Sequence, residues 1–156
     1  MNELTAKYDG FTCLGFPTNQ FGKQTNEKDW EMLKTLKYVR PGDGYEPNFP
    51  IFTKTEANGE GASPMFAFLR DALKFPCDAF KGSSDYIIKA QNINWSPVTR
   101  TDLCWNFEKF LVNQDGVPVK RYSPGFATED VAKDIEALLE GGPNALAEAK
   151  AAAFAR

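Results

Sequence analysis

Short apolar runs alternate along the chain with breaks rich in glycine, proline and asparagine, and the period of each run predicts an element. Residues 2–8 (NELTAKY) have a helical pattern that starts with no capping residue ahead of it, as if entered partway. Residues 11–17 (FTCLGFP) form an unbroken apolar run closed by Pro17-Thr18-Asn19, which predicts a strand buried on both faces. From Asn26 onward Trp30, Leu33, Leu36 and Val39 recur at helical spacing, and Pro41-Gly42-Asp43-Gly44 stops that helix. After the loop RPGDGYEPNFP, residues 49–53 predict a second short strand.

Ser63-Pro64 then reads as N-cap and first-turn proline of a helix with Phe66, Leu69, Ala72 and Leu73 on one side. Residues 75–101 are an irregular excursion with one extended piece at 93–95. WNFEKFLV and VPVKRY flank Asn113-Gln114-Asp115-Gly116, a hairpin signal in which Asp-Gly supplies the positive φ of the turn. Thr128 is expected to cap a helix carrying Val131, Ile135, Leu138 and Leu139, ended by Gly141-Gly142-Pro143. Together these elements predict one α/β domain over residues 1–142, with helices on both faces of a mixed sheet, and an alanine-rich tail over 143–156.

Composition narrows the chemistry. The 156 residues, 42% apolar and 25% charged, suffice for one core, and the net charge of −3 has the wrong sign for nucleic acid or an anionic membrane. No apolar run approaches the roughly eighteen residues needed to span a bilayer. The chain has no histidine, which excludes Ser/His/Asp and Cys/His catalysis, His-ligated zinc and HExxH proteases. Three scattered cysteines without a CxxC pair form neither a disulfide scaffold nor a metal knuckle, so the expectation is a reducing, cytoplasmic setting and no metal. The sequon Asn94-Trp95-Ser96 is followed by Pro97 and reads as a chance match.

GFPTNQFGKQ imitates a phosphate loop, but six residues separate Gly15 from Gly22, and Gln24 stands where a magnesium-binding Ser or Thr belongs. More informative are uncharged donors near predicted strand ends: Asn19, Gln20 and Gln24 after the first strand, and Trp105-Asn106 ahead of the hairpin. Amide and indole N–H groups stabilise an anion without titrating, as a thiolate or selenolate nucleophile requires. The same residues also serve a purely structural reading, with Gln24 capping a turn and Trp105 in the core. Cys13 and Cys104 are expected to be buried and inert, and Cys77 to be exposed.

Three long segments carry a resemblance. GFPTNQFGKQ, YVRPGDGYEPNFPIFTKTEANGEGASPMFAFLR and INWSPVTRTDLCWNFEKFLVNQDGVPVKRYSP, in this order, closely resemble the glutathione peroxidase family over residues 2 to about 142. The resemblance implies a thioredoxin-like fold and reduction of hydrogen peroxide and small organic hydroperoxides, with glutathione as co-substrate and no further cofactor. It implies that Gln24, Trp105 and Asn106 cradle the peroxidatic selenocysteine or cysteine. It also places that residue, with a central strand, ahead of Met1, so that the chain is expected to be N-terminally truncated and inactive as it stands. A selenocysteine codon read as a stop would account for this start.

Pro124 and Gly125 stand where many glutathione-using relatives have two arginines, leaving Arg40, Arg100 and Arg121 as candidates for the carboxylates of glutathione or as solvated surface charges. The RPGDGYEPNFP loop and the 75–101 excursion resemble insertions of the tetrameric members, which implies a homotetramer for the complete protein. The competing expectation is a non-catalytic, thioredoxin-like truncated isoform that binds a partner or full-length subunits.

Overall fold

A computed structural model describes residues 1–78 and 90–148. Its helices are α1 (Asn2–Lys7), α2 (Met32–Tyr38), α3 (Pro64–Ala72) and α4 (Ala132–Gly141), and its strands β1 (Lys109–Val112) and β2 (Pro118–Tyr122) form an antiparallel hairpin. Lys109 pairs with Tyr122, Phe110 with Arg121 and Leu111 with Lys120 before a bulge carries Val112 to Pro118. Asn113 shapes the turn: its side-chain oxygen accepts from Asp115 N and Val117 N, and Gly116 follows with φ 79°.

Paired residues of an antiparallel ladder point to one side, so the hairpin has two distinct faces. Leu111 and Tyr122 pack with Leu4, Val131, Ile135 and Leu138, which brings α1 and α4 to one face. Phe110, on the other face, joins Phe21, Phe66, Leu69, Trp95 and Leu103, which brings α3 there. Helices thus cover both faces, and the architecture is the α/β, thioredoxin-like one. The parallel pairing direction survives at one bridge, Gly15 with Ile51, where Gly15 N donates to Pro50 O and Phe52 N to Gly15 O.

Local chemistry sets the element ends. Ser63 Oγ accepts from Phe66 N and Pro64 opens α3, as the sequence predicts. Gly142 ends α4 with φ 79°. Thr128 does not cap: residues Thr128–Val131 wind into a 3-10 turn ahead of α4, which takes the Thr128 backbone into the helix and leaves Ala127 at the capping position. A second 3-10 turn, Asp29–Glu31, precedes α2, so that helix starts later than the Asn26 signal suggests.

The largest departure lies in the two predicted early strands. Residues 11–17 and 49–53 meet at the single bridge and extend into no ladder, and Leu14 is 53% exposed rather than buried on both sides. A strand paired along one short stretch cannot bury two faces. Part of the apolar side of α2 and of the turn before it is likewise open: Leu33 is 58% exposed and Trp30 72%, while Met32 is buried. Residues 93–95 form no strand; they follow a 3-10 turn at Ala90–Asn92. Most of the rest of the 75–101 excursion, 79–89, lies outside the described residues, as does the tail beyond 148; residues 145–148 are helical, and Leu146 packs partly against the α1–α4 core.

Candidate active site

Gln24 sits in a loop turned by two successive left-handed residues, Gly22 (φ 66°) and Lys23 (φ 52°). That conformation is costly for a lysine and cheap for a glycine. An ideal Cβ on Gly22 would lie 3.2 Å from Trp105 Cη2 and 3.6 Å from Gln24 Cγ, so the bare glycine is where indole and loop make contact. Asn106 Nδ2 donates to Gln24 Oε1 at 3.1 Å across 82 positions of sequence. Gln24, Trp105 and Asn106 therefore form one cluster, with the Trp105 ring centroid 6.0 Å from that of buried Phe21.

A buried amide relay holds the two segments in register. Gln20 Oε1 accepts from Ala57 N and Asn58 N, Gln20 Nε2 donates to Asn58 O, and Asn58 exchanges two 2.9 Å bonds with Leu103, two residues ahead of Trp105. Each such bond is stable because the polar groups it satisfies would otherwise be buried unpaired. Asn19 is spent on its own loop, accepting from Thr25 N and donating to Asn26 Oδ1. Of the three amides singled out after the first strand, two are therefore scaffold and Gln24 alone reaches the cluster. The buried Asn58 was missed by sequence reasoning, since nothing in TEANGEG distinguishes it from a turn residue.

Asn106 is followed by Phe107, 75% exposed and held at φ 65°, where the chain swings into β1. The side chain of Glu108 behind it is fully buried: Oε1 accepts from Cys104 N and Oε2 pairs with Arg121 Nε at 2.6 Å. Arg121 is 2% exposed and also donates to the carbonyls of Leu73, Lys74, Thr101 and Asp102. The expectation that Arg121 meets a glutathione carboxylate is corrected here, because its guanidinium is committed to Glu108 and four backbone oxygens and is closed to solvent. It braces Trp105-Asn106 from below. Arg40 does reach the cluster, donating through Nη2 to Gln24 O at 2.7 Å, while Arg100 stands exposed in solvent.

Two of the three thiols, Cys104 and Cys77, are poor nucleophiles. Burial, reinforced by the Glu108 charge, pushes Cys104 far above the ordinary thiol range, and partial burial raises Cys77 as well. Cys104 is buried, Cys77 exposed, and Cys13 half-buried rather than closed off. Among the described residues no group of three His, Cys, Asp or Glu side chains could hold a metal, and no helix is long and apolar enough to cross a membrane. By contrast, the cluster still has donors to give. Trp105 Nε1 and Gln24 Nε2 make no protein hydrogen bond among the described residues. They are pH-independent donors suited to an anion.

The glutathione peroxidase family model matches residues 1–70. Glutathione peroxidase 1 of Macaca fuscata fuscata is 56% identical over 146 residues, covering 92% of this chain and 71% of that protein. The Rattus norvegicus protein of the same name is 54% identical over 149 residues, covering 92% and 71%. Among solved structures, T. cruzi GPX1 superposes with a TM-score of 0.55 at 30% identity, covering 90% of this chain and 69% of that one. With more than half its residues shared over nine-tenths of its length, the chain belongs to the glutathione peroxidase family.

Proposed function

We propose that Gln24, Trp105 and Asn106 form the donor cradle of a centre that reduces hydrogen peroxide and small organic hydroperoxides with glutathione. The Asn106–Gln24 hydrogen bond carries this reading, because it joins two distant segments and leaves spare N–H groups at one place. A chalcogenolate held there attacks one peroxide oxygen, the O–O bond breaks, and the products are a selenenic or sulfenic acid and an alcohol or water. One glutathione thiol then displaces water to give a mixed adduct, and a second releases the reduced centre together with glutathione disulfide. The cradle lowers the cost of the anion before attack; it does not itself attack.

Cys104 and Cys77 have thiols raised by burial, and half-buried Cys13 lies in the segment of the Gly15 bridge. We therefore assign the reacting chalcogen to a residue outside 1–156, and the chain alone is inactive. Arg40, beside the cradle, is the cation that would meet a carboxylate of glutathione, with Arg100 a weaker candidate. The protein works in the cytoplasm as a homotetramer, and the open apolar side of α2 is surface that self-association would cover.

The test is a glutathione-coupled hydroperoxide assay. Residues 1–156 give the rate of the blank; measurable turnover would instead recruit one of the three cysteines and overturn the assignment. In a longer product of the same gene that contains the chalcogen residue, Gln24→Ala or Asn106→Ala lowers kcat/KM by about 10²-fold, the scale of one preorganised donor. Unchanged rates in both variants would overturn the donor role of Gln24 and Asn106.

A further inference from the structure

Asp102 stands three residues ahead of Trp105 and takes no part in the cradle, yet four donors converge on its buried carboxylate. Oδ1 accepts from Arg70 Nη1 at 2.5 Å and Thr99 Oγ1 at 2.8 Å, and Oδ2 from Trp95 Nε1 and Thr99 N, both at 2.9 Å. Stability alone does not explain a carboxylate at this place. A buried ion pair gains little over apolar packing of the same volume, and here Arg70 Nε is left buried without a partner among the described residues. What a carboxylate does supply is direction, because the donors on its two oxygens fix the indole of Trp95 and the 95–99 turn against α3.

The Trp95 ring in turn meets Phe21 edge-on, with 5.6 Å between centroids and 80° between planes, and buried Phe21 meets Trp105 at 6.0 Å. On the cradle side, Trp105 Cη2 lies 3.2 Å from where a Cβ on Gly22 would stand. The place of the Trp105 indole is therefore set by Phe21 and by the Gly22 loop. Close-packed rings pass a displacement on rather than absorb it, so the setting of Trp95 fixes that of Trp105 and the aim of its Nε1–H. We infer that Asp102 is a positioning residue for the cradle: through Trp95 and Phe21 it sets the orientation of the Trp105 indole. The inference rests on the peroxidase reading for its effect on rate alone; the orientation is a property of this chain.

The experiment follows the indole N–H signals of the chain's three tryptophans, Trp30, Trp95 and Trp105, by NMR, assigned by single replacements with phenylalanine. Asp102→Leu, close in volume and without acceptors, is expected to shift the Trp95 and Trp105 signals and weaken the Phe21–Trp105 ring cross-peaks, with exposed Trp30 unmoved. Asp102→Asn, which keeps an acceptor for Trp95, returns the Trp105 signal most of the way. In the longer product that contains the chalcogen residue, Asp102→Leu lowers kcat/KM about tenfold, part of the yield of one aligned donor, and costs less than about twofold once Trp105→Phe is in place. Should Asp102→Leu fail to fold, Trp95→Phe, which keeps a ring and removes the N–H that the carboxylate holds, takes its place in both measurements, read at Trp105. An unmoved Trp105 signal, or a loss of rate by the same factor with and without Trp105, would overturn the inference. Full turnover in Trp105→Phe would instead defeat the donor role proposed for the cradle and leave the positioning of the ring standing.

Discussion

Around the hairpin, residues 104–138, the strong polar groups are answered from within the chain. Glu108 meets Arg121, Lys120 and the Tyr122 hydroxyl both meet Asp134, and Lys109 donates to Phe126 O. Between residues 11 and 53, a stretch just as apolar in places, the two predicted strands meet at a single bridge, and Leu14, Trp30 and Leu33 are exposed. The contrast teaches that apolar content alone does not make a strand. The hairpin brings its own partner two turns of sequence away, whereas residues 11–17 depend on partners that must arrive from elsewhere.

The comparison is broken most severely at Glu108. Glu108→Ala leaves Arg121 charged, buried and short of its carboxylate, and a loss of about 3–5 kcal/mol in chemical denaturation is expected; a loss under ~1 kcal/mol would show that the hairpin does not depend on this pair. Next comes the joint between the two regions. Asn58→Ala strands the Leu103 N–H and C=O and costs about 1–3 kcal/mol, with faster hydrogen exchange at Leu103 as the local sign. Gly22→Ala strains a φ of 66° and crowds the indole, so about 1 kcal/mol is lost and the fluorescence of Trp105 shifts.

Smaller effects sharpen the contrast. Leu33→Ser, on the open side of α2, changes the stability of the dissociated chain by no more than about 0.5 kcal/mol, since the side chain is exposed there; a larger loss in the assembled protein is the sign that self-association covers α2. The smallest effect is a pH response at the α1–α4 contact. The Tyr8 hydroxyl, and then the Lys7 ammonium, hold the Glu136 carboxyl below its ordinary value of 4.5. A carboxyl with a depressed folded-state value stabilises above 4.5 and loses that contribution as pH falls through the folded value. The protection factors of the Thr5 and Tyr8 amides, corrected for intrinsic exchange, should therefore fall in acid, and Glu136→Gln should remove that fall.

Much of this could be read in advance because it is local. Ser63-Pro64 opens α3, Asp115-Gly116 turns the hairpin and the Val131–Ile135–Leu138 spacing buries α4, each within a few residues of its own signal. Gln24, Trp105 and Asn106 could be singled out by residue type, but that they lie together is a fact of the fold. Thr128 was misread, because a 3-10 turn and an α-helix share the same opening residues and packing chooses between them.

Amino-acid order by itself determined the family, the helical and hairpin segments and the absence of any histidine chemistry. Tertiary structure decided what each polar side chain does. Arg40 and Arg121 carry the same guanidinium, yet one rests on the Gln24 carbonyl at the surface and the other is locked beneath the hairpin. Gln20 and Gln24 stand four positions apart, one in a buried relay and one in the cradle. Burial and partner depend on residues tens of positions away, and a hydrogen bond spanning 82 positions leaves no trace in local spacing.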